Sequence, residues 1–158
     1  PALRLPEMGE DDGSLDRADG GTVDAGSSSS QRTIQYTVSG SAVTNDGSVK
    51  GLALCSLEAN GTFTIYNAAP MGSAELTLTV TAFSFNRTAP YTDIGGSFID
   101  EPGKFFNSTA ASHCQLLLGA SPSRKRMTGT FTCGALKDGA ANSAQISAGT
   151  FDCCIDCS

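Results

Sequence analysis

Cys55, Cys114, Cys133, Cys153, Cys154 and Cys157 are the residues with the most chemistry to offer. Thiols in this number serve as disulfides, metal ligands or redox centres, and spacing separates the three roles. A single histidine, His113, accompanies them. No C-x-x-C pair recurs at zinc-finger spacing, so a structural zinc site is not expected. Cys154-Ile155-Asp156-Cys157 is one C-x-x-C. A redox centre places such a pair at the start of a helix, whose N-terminus lowers the thiol pKa. Here it follows a strand at the end of the sequence, which points to a structural clasp. Cys153 and Cys154 are neighbours and face opposite ways on a strand, so they should have different partners. The expectation is three disulfides and therefore an exported protein, with no metal and no cofactor. The pairing is one of many that six cysteines allow.

Other reactive types are isolated. Ser112, His113 and Cys114 are consecutive, and alternation keeps the His113 ring away from both neighbours, so His113 reads as a surface or edge residue. The carboxylates Asp100-Glu101, and Asp152 with Asp156, carry no mark of a glycosidase pair, and the chain has no Trp to stack on a sugar. Three sequons start at Asn60, Asn86 and Asn107. All fall in predicted turns or loops and are the candidate glycosylation sites. Nothing here forms a catalytic set, and the chain is read as a non-enzyme.

Charge narrows the partners. A net charge of −6 disfavours the phosphate backbone of nucleic acid. The one basic cluster, Arg124-Lys125-Arg126, reads as a solvated turn. No run approaches the roughly 20 apolar residues of a membrane helix. The sequence opens on Pro1 without Met, which is taken as a processed, exported chain.

The elements that must position these residues are strands. Thr33–Val38 alternates, with Ile34, Tyr36 and Val38 inward. Asn45-Asp46-Gly47 is a turn. Lys50–Leu57 and Thr62–Tyr66 form a hairpin. A three-residue Ala59-Asn60-Gly61 loop, with Gly61 left-handed, sets Leu57 opposite Phe63 and Cys55 opposite Ile65, so Cys55 points at the core. Glu75–Phe85 reads as the longest strand, and Phe83 and Phe85 break its parity, through a bulge near Ala82 or a strand end buried on both faces. Residues 86–112, interrupted by Pro90, Gly95-Gly96 and Pro102-Gly103, read as a long loop with one or two short strands. His113–Leu118, Met127–Leu136 and Gln145–Ile155 close the fold as a meander. Within it a phrase recurs, Gly129-Thr130-Phe131-Thr132-Cys133 and Gly149-Thr150-Phe151-Asp152-Cys153, with each Phe and Cys on one face.

Residues 1–30 differ. Glu7, Glu10, Asp11, Asp12, Asp16, Asp19 and Asp24 face only Arg4 and Arg17 among Gly and Ser. Such an arm cannot offset its ordering entropy alone. Its acid spacing does not fit an EF-hand loop. Leu3-Arg4-Leu5 alternates before Pro6 and is a candidate short strand.

The run Asp19-Gly20-Gly21-Thr22-Val23-Asp24-Ala25-Gly26 resembles the Asp/Ala/Gly linkers of exported proteins and lipoproteins of myxobacteria and their relatives. Residues 113–155 resemble the closing meander of bacterial secreted β-sandwich domains that end on two Gly-Thr-Phe strands. The resemblance implies export and a β-sandwich and brings no catalytic residues. The arm departs from the lipoprotein pattern in having no lipobox cysteine.

The expected architecture is all-β: a single antiparallel β-sandwich over 31–158, preceded by an extended N-terminal arm over 1–30. The expected function is that of an extracellular or cell-surface structural protein. It would be a homo-oligomer or filament in which the tip Leu3, Arg4, Leu5 adds as a strand to a neighbour's sheet edge. Arg124, Lys125 and Arg126 are the candidate partners of the arm's acids. The contrasting expectation is a secreted or envelope-attached monomeric binding module with the 86–112 loop as its ligand surface.

Overall fold

Strand alternation dominates the structure, a computed structural model that describes residues 32–68, 74–101, 103–155 and 157. The arm, including Leu3, Arg4 and Leu5, lies outside the described residues, as does Asp156. Nine strands form among the described residues: β1 Thr33–Gly40, β2 Gly47–Leu57, β3 Phe63–Ala68, β4 Glu75–Val80, β5 Tyr91–Glu101, β6 Lys104–Asn107, β7 Cys114–Leu118, β8 Met127–Lys137 and β9 Ser143–Cys153. Every pairing is antiparallel.

The expected sandwich is corrected to a closed barrel. Neighbouring strands pair in the ring β1-β2-β3-β4-β5-β7-β8-β9, and β9 returns to pair with β1. Two ladders decide this. β4 joins β5 from Glu75↔Ile99 to Thr79↔Gly95, and β1 joins β9 from Thr33↔Asp152 to Gly40↔Ala144. A sandwich would leave such seams open. Alternating burial looks the same in both architectures, because each buries one face of every strand. β6 is an insert, hydrogen-bonded along β5 but opposite β8 only at Asn107↔Lys137.

The barrel interior is filled. Ile34, Tyr36 and Val38 of β1 are buried, as are Leu76, Leu78 and Val80 of β4. Tyr36 meets Phe98 edge-on at 6.3 Å and Phe131 at 6.1 Å between ring centroids. Its hydroxyl donates to Asn67 Oδ1 at 2.8 Å, so the two polar groups buried here satisfy each other. Burial, with Glu75 adding to it, raises the Tyr36 pKa well above the usual phenol range. The inside is a packed core, as in other small barrels.

Two bulges let long strands keep their apolar faces inward. In β9 the buried set changes parity between Ile146 and Gly149, and Ala148, with φ 51°, takes the extra position. In β8 it changes between Cys133 and Leu136.

Two expected elements are revised. The strand from Glu75 ends at Val80 rather than Phe85. Ala82 is left-handed, with φ 53°, and the Phe83 amide donates to the Gly61 carbonyl at 3.0 Å. Phe83 thereby leaves the ladder and stacks on Phe63 at 4.6 Å. Residues 86–112, expected as a long loop with one or two short strands, hold the 11-residue β5 of the barrel wall and the short β6.

One end of the barrel is closed by a carboxylate. Asp100, on β5, is fully buried. It accepts the backbone amides of Thr44 at 2.7 Å and Asn45 at 2.9 Å, and the Asn45 side-chain amide at 3.0 Å. Lys104 Nζ stands 3.5 Å away. Burial alone would raise the carboxyl pKa, but these donors together hold it below the ordinary value. A depressed folded pKa gives stability that is present above the unfolded carboxyl pKa of about 4 and lost as pH falls through the folded value. Asp100→Asn should therefore cost about 1–3 kcal/mol at pH 7. The deficit should shrink on acidification towards pH 2, and urea melts across that range measure it. A deficit independent of pH would remove the ionised carboxylate from the account.

Candidate functional site

Charge sorts to the two ends of the barrel. The end formed by the β1–β2, β5–β6 and β8–β9 connections carries Asp46, Glu75, Asp100, Glu101 and Asp138 against Lys104 and Lys137. The opposite end, formed by the start of β1 and the β2–β3, β4–β5 and β7–β8 connections, carries Arg32, Arg87, Arg124, Lys125 and Arg126 against Glu58 and Asp152 among the described side chains.

The basic end is built from the turn the sequence singled out. Arg126 holds Asp152 with two bonds, Nη2 to Oδ2 at 2.9 Å and Nε to Oδ1 at 3.3 Å. The Arg124 carbonyl accepts the Ile155 amide at 2.8 Å, and Arg32 Nη2 donates to the Cys157 carbonyl. All three candidate arm partners are exposed, and Arg126 holds Asp152.

The cysteines pair as Cys55–Cys153, Cys114–Cys133 and Cys154–Cys157. Cys153 and Cys154 do take different partners, and the C-x-x-C is closed on itself. Cys114, bonded to Cys133, has no thiol to offer beside His113, which is half-buried just before β7. The Asp100-Glu101 pair splits, with Asp100 buried in its clamp and Glu101 half exposed. Asn60, Asn86 and Asn107 are all exposed. Asn107 stands in β6, opposite Ser97, and not in the loop expected for it.

Sequence reasoning missed a groove at the basic end. Leu57, Glu58, Ala59, Gly61, Phe83, Phe85 and Arg124 enclose about 510 Å³. Its aromatic wall is anchored, with Phe83 stacked between Phe63 at 4.6 Å and Tyr91 at 6.0 Å, and Phe85 edge-on to Phe83 at 5.2 Å. The Tyr91 hydroxyl is held by Ser84, and Arg87 lies 4.4 Å over the Tyr91 ring. The available signal was the parity break at Phe83 and Phe85, residues that leave the ladder to line this mouth.

The remaining large apolar exposures are Leu52, Leu54 and Leu117 on the barrel flank and Phe105 on β6. No helix among the described residues is long and apolar enough to cross a membrane. No family model, curated protein or solved structure matches the chain.

Proposed function

We propose that the chain is an exported, non-enzymatic structural protein whose copies associate at the cell surface or outside the cell. The observation that carries this reading is the segregation of charge. Residues 1–30 hold a formal −5 of the chain's −6, leaving −1 for the rest, and within the barrel the arginines gather at one end. An acidic arm from one copy and the exposed Arg124 and Lys125 of the next are complementary. Three disulfides suit an oxidising compartment.

Ring closure changes what the arm can use. The barrel strands are paired on both flanks, so a long open sheet edge of the kind strand addition prefers is missing among the described residues. β6, opposite β8 only at Asn107, keeps an incompletely paired flank. The tip Leu3, Arg4, Leu5 therefore has a short acceptor at most, and the ionic contribution carries more of the contact.

Sedimentation tests this. Deleting residues 1–30, or reversing charge with Arg124→Glu and Lys125→Glu, should weaken assembly more at low salt than at high. Leu3→Asp with Leu5→Asp reports on the tip alone. Normal assembly by all three variants would reduce the arm to a linker. Discrete monomers of the wild type would instead favour the second reading, a binding module that uses the mouth groove of Leu57, Phe83 and Phe85 rather than residues 86–112.

A further inference from the structure

We infer that the Cys154–Cys157 disulfide is a site of thiol–disulfide exchange, opened and reclosed by dithiols while the barrel stays folded. The inference goes beyond the proposed function and does not depend on self-association. Cys55–Cys153 joins β2 to β9, and Cys114–Cys133 joins β7 to β8. Cys154 and Cys157 both lie past β9, which ends at Cys153, and enclose only Ile155 and Asp156. The expected clasp therefore ties no two strands, and opening it leaves every ladder in place. Two other contacts hold this segment. The Ile155 amide donates to the Arg124 carbonyl at 2.8 Å, and Arg32 Nη2 donates to the Cys157 carbonyl. They keep the two thiols close, so that the disulfide can reform.

The surroundings suit the chemistry. Cys154 is 4% exposed, whereas Cys157 is half-exposed, with Sγ 3.9 Å from the Lys125 carbonyl. A thiolate in solution can reach Cys157, and Cys154 is the shielded partner that resolves a mixed disulfide. Arg32, Arg124, Lys125 and Arg126 gather at this end, and Arg126 already holds Asp152. By charge they outweigh Asp156 of the loop itself, and cations lower a thiol pKa. Arg32 adds a specific feature. Its Nε is buried and has no hydrogen-bond partner among the described residues, although Nη2 of the same guanidinium reaches the clasp. A disulfide sulfur accepts weakly, whereas a thiolate is a charged acceptor, so reduction gives this donor a partner. In the exchange, the thiolate of a dithiol attacks Cys157 Sγ and expels Cys154 as a thiolate. The second thiol then attacks the reagent's own sulfur, expels Cys157 and closes the reagent's disulfide. Two electrons pass to the cysteine pair, and the reagent's two protons go to the cysteines or to water.

The test uses the full-length protein and dithiothreitol. Thiols released over time are trapped with N-ethylmaleimide and located by peptide mass spectrometry, while circular dichroism follows the fold. Cys154 and Cys157 should be labelled roughly tenfold sooner than the other four cysteines, with the β spectrum unchanged. In Cys154→Ser, the Cys157 thiol should titrate below its ordinary value of about 8.5. Adding Arg32→Gln to that variant should raise it, and thermal unfolding checks that both variants fold. A clasp that opens no sooner than Cys114–Cys133, or only as the spectrum collapses, is a staple, and the inference fails. If it opens first but the Cys157 thiol titrates at its ordinary value, or is indifferent to Arg32, exposure alone explains the order and the inference fails as well.

Discussion

Gly149→Ala should unfold at a markedly lower temperature than the wild type, although it adds one methyl group. The recurring Gly-Thr-Phe phrase explains why. Its two copies pair antiparallel as Gly129↔Phe151, Thr130↔Thr150 and Phe131↔Gly149. Each phenylalanine therefore lies over the other copy's glycine, which has no side chain to hold it off. A Cβ at 149 would stand 2.5 Å from Phe131 Cε2 and 2.6 Å from the Phe131 carbonyl oxygen. At 129 it would stand 2.5 Å from the Leu117 carbonyl oxygen and 2.7 Å from Phe151 Cε1. A ring can turn aside, but a carbonyl in a ladder cannot, so the strand itself must shift. Overpacking of this kind costs about 1–3 kcal/mol or more, which in a domain of this size lowers the melting temperature by roughly 5–15 °C. Removing the cover, Phe131→Ala, should cost about 3–5 kcal/mol. Gly139 is the control, since nothing lies within 4 Å of a Cβ built there. Equal melting temperatures for Gly149→Ala and Gly139→Ala would refute the reciprocal-cover account.

That phrase was visible in the sequence as a repeat, and its pairing was not. The same limit recurs along the chain. The Ala59-Asn60-Gly61 loop specified its own register, and the structure has Leu57↔Phe63, Cys55↔Ile65 and Gly61 at φ 90°. Ile34, Tyr36 and Val38 alternated inward as expected. These are local matters, decided by turn chemistry and period 2. β5 was hidden because Gly95-Gly96 reads as a break. A Cβ at Gly96 would run into Cys114 Sγ, so the glycine marks a strand packed hard against a disulfide. Ring closure was hidden because a barrel and a sandwich bury the same alternate residues, and only the β4–β5 and β1–β9 ladders tell them apart. Of the candidate surfaces, the basic run 124–126 was legible as composition. The tie of Arg126 to Asp152 and the groove of Leu57, Phe83 and Phe85 join segments far apart in sequence, and no local pattern encodes them.

Removing the disulfides one at a time should rank them, with Cys55–Cys153 the most costly. β1 lies between β2 and β9, and its first residue, Thr33, pairs with Leu52 on one side and Asp152 on the other. Cys55 and Cys153 lie beyond that point, where β1 no longer separates the two strands. The disulfide closes the seam there, across a Cα–Cα distance of 6.1 Å. It also spans 98 residues of sequence, against 19 for Cys114–Cys133 and 3 for Cys154–Cys157. Cross-links over longer loops remove more entropy from the unfolded chain, so the chain-entropy account gives about 4–5, 3 and 2 kcal/mol in that order. Native context sharpens the ranking. Cys114 and Cys133 are directly opposed on β7 and β8, whose ladder continues through Leu116↔Phe131 to Leu118↔Gly129 without the disulfide. Paired serine variants of each disulfide, followed by urea denaturation, should therefore lose stability most for 55/153 and least for 154/157. A 154/157 variant as damaged as the 55/153 one would place the fold's weak point at the C-terminal clasp, and the seam between β2 and β9 would then be held by packing alone.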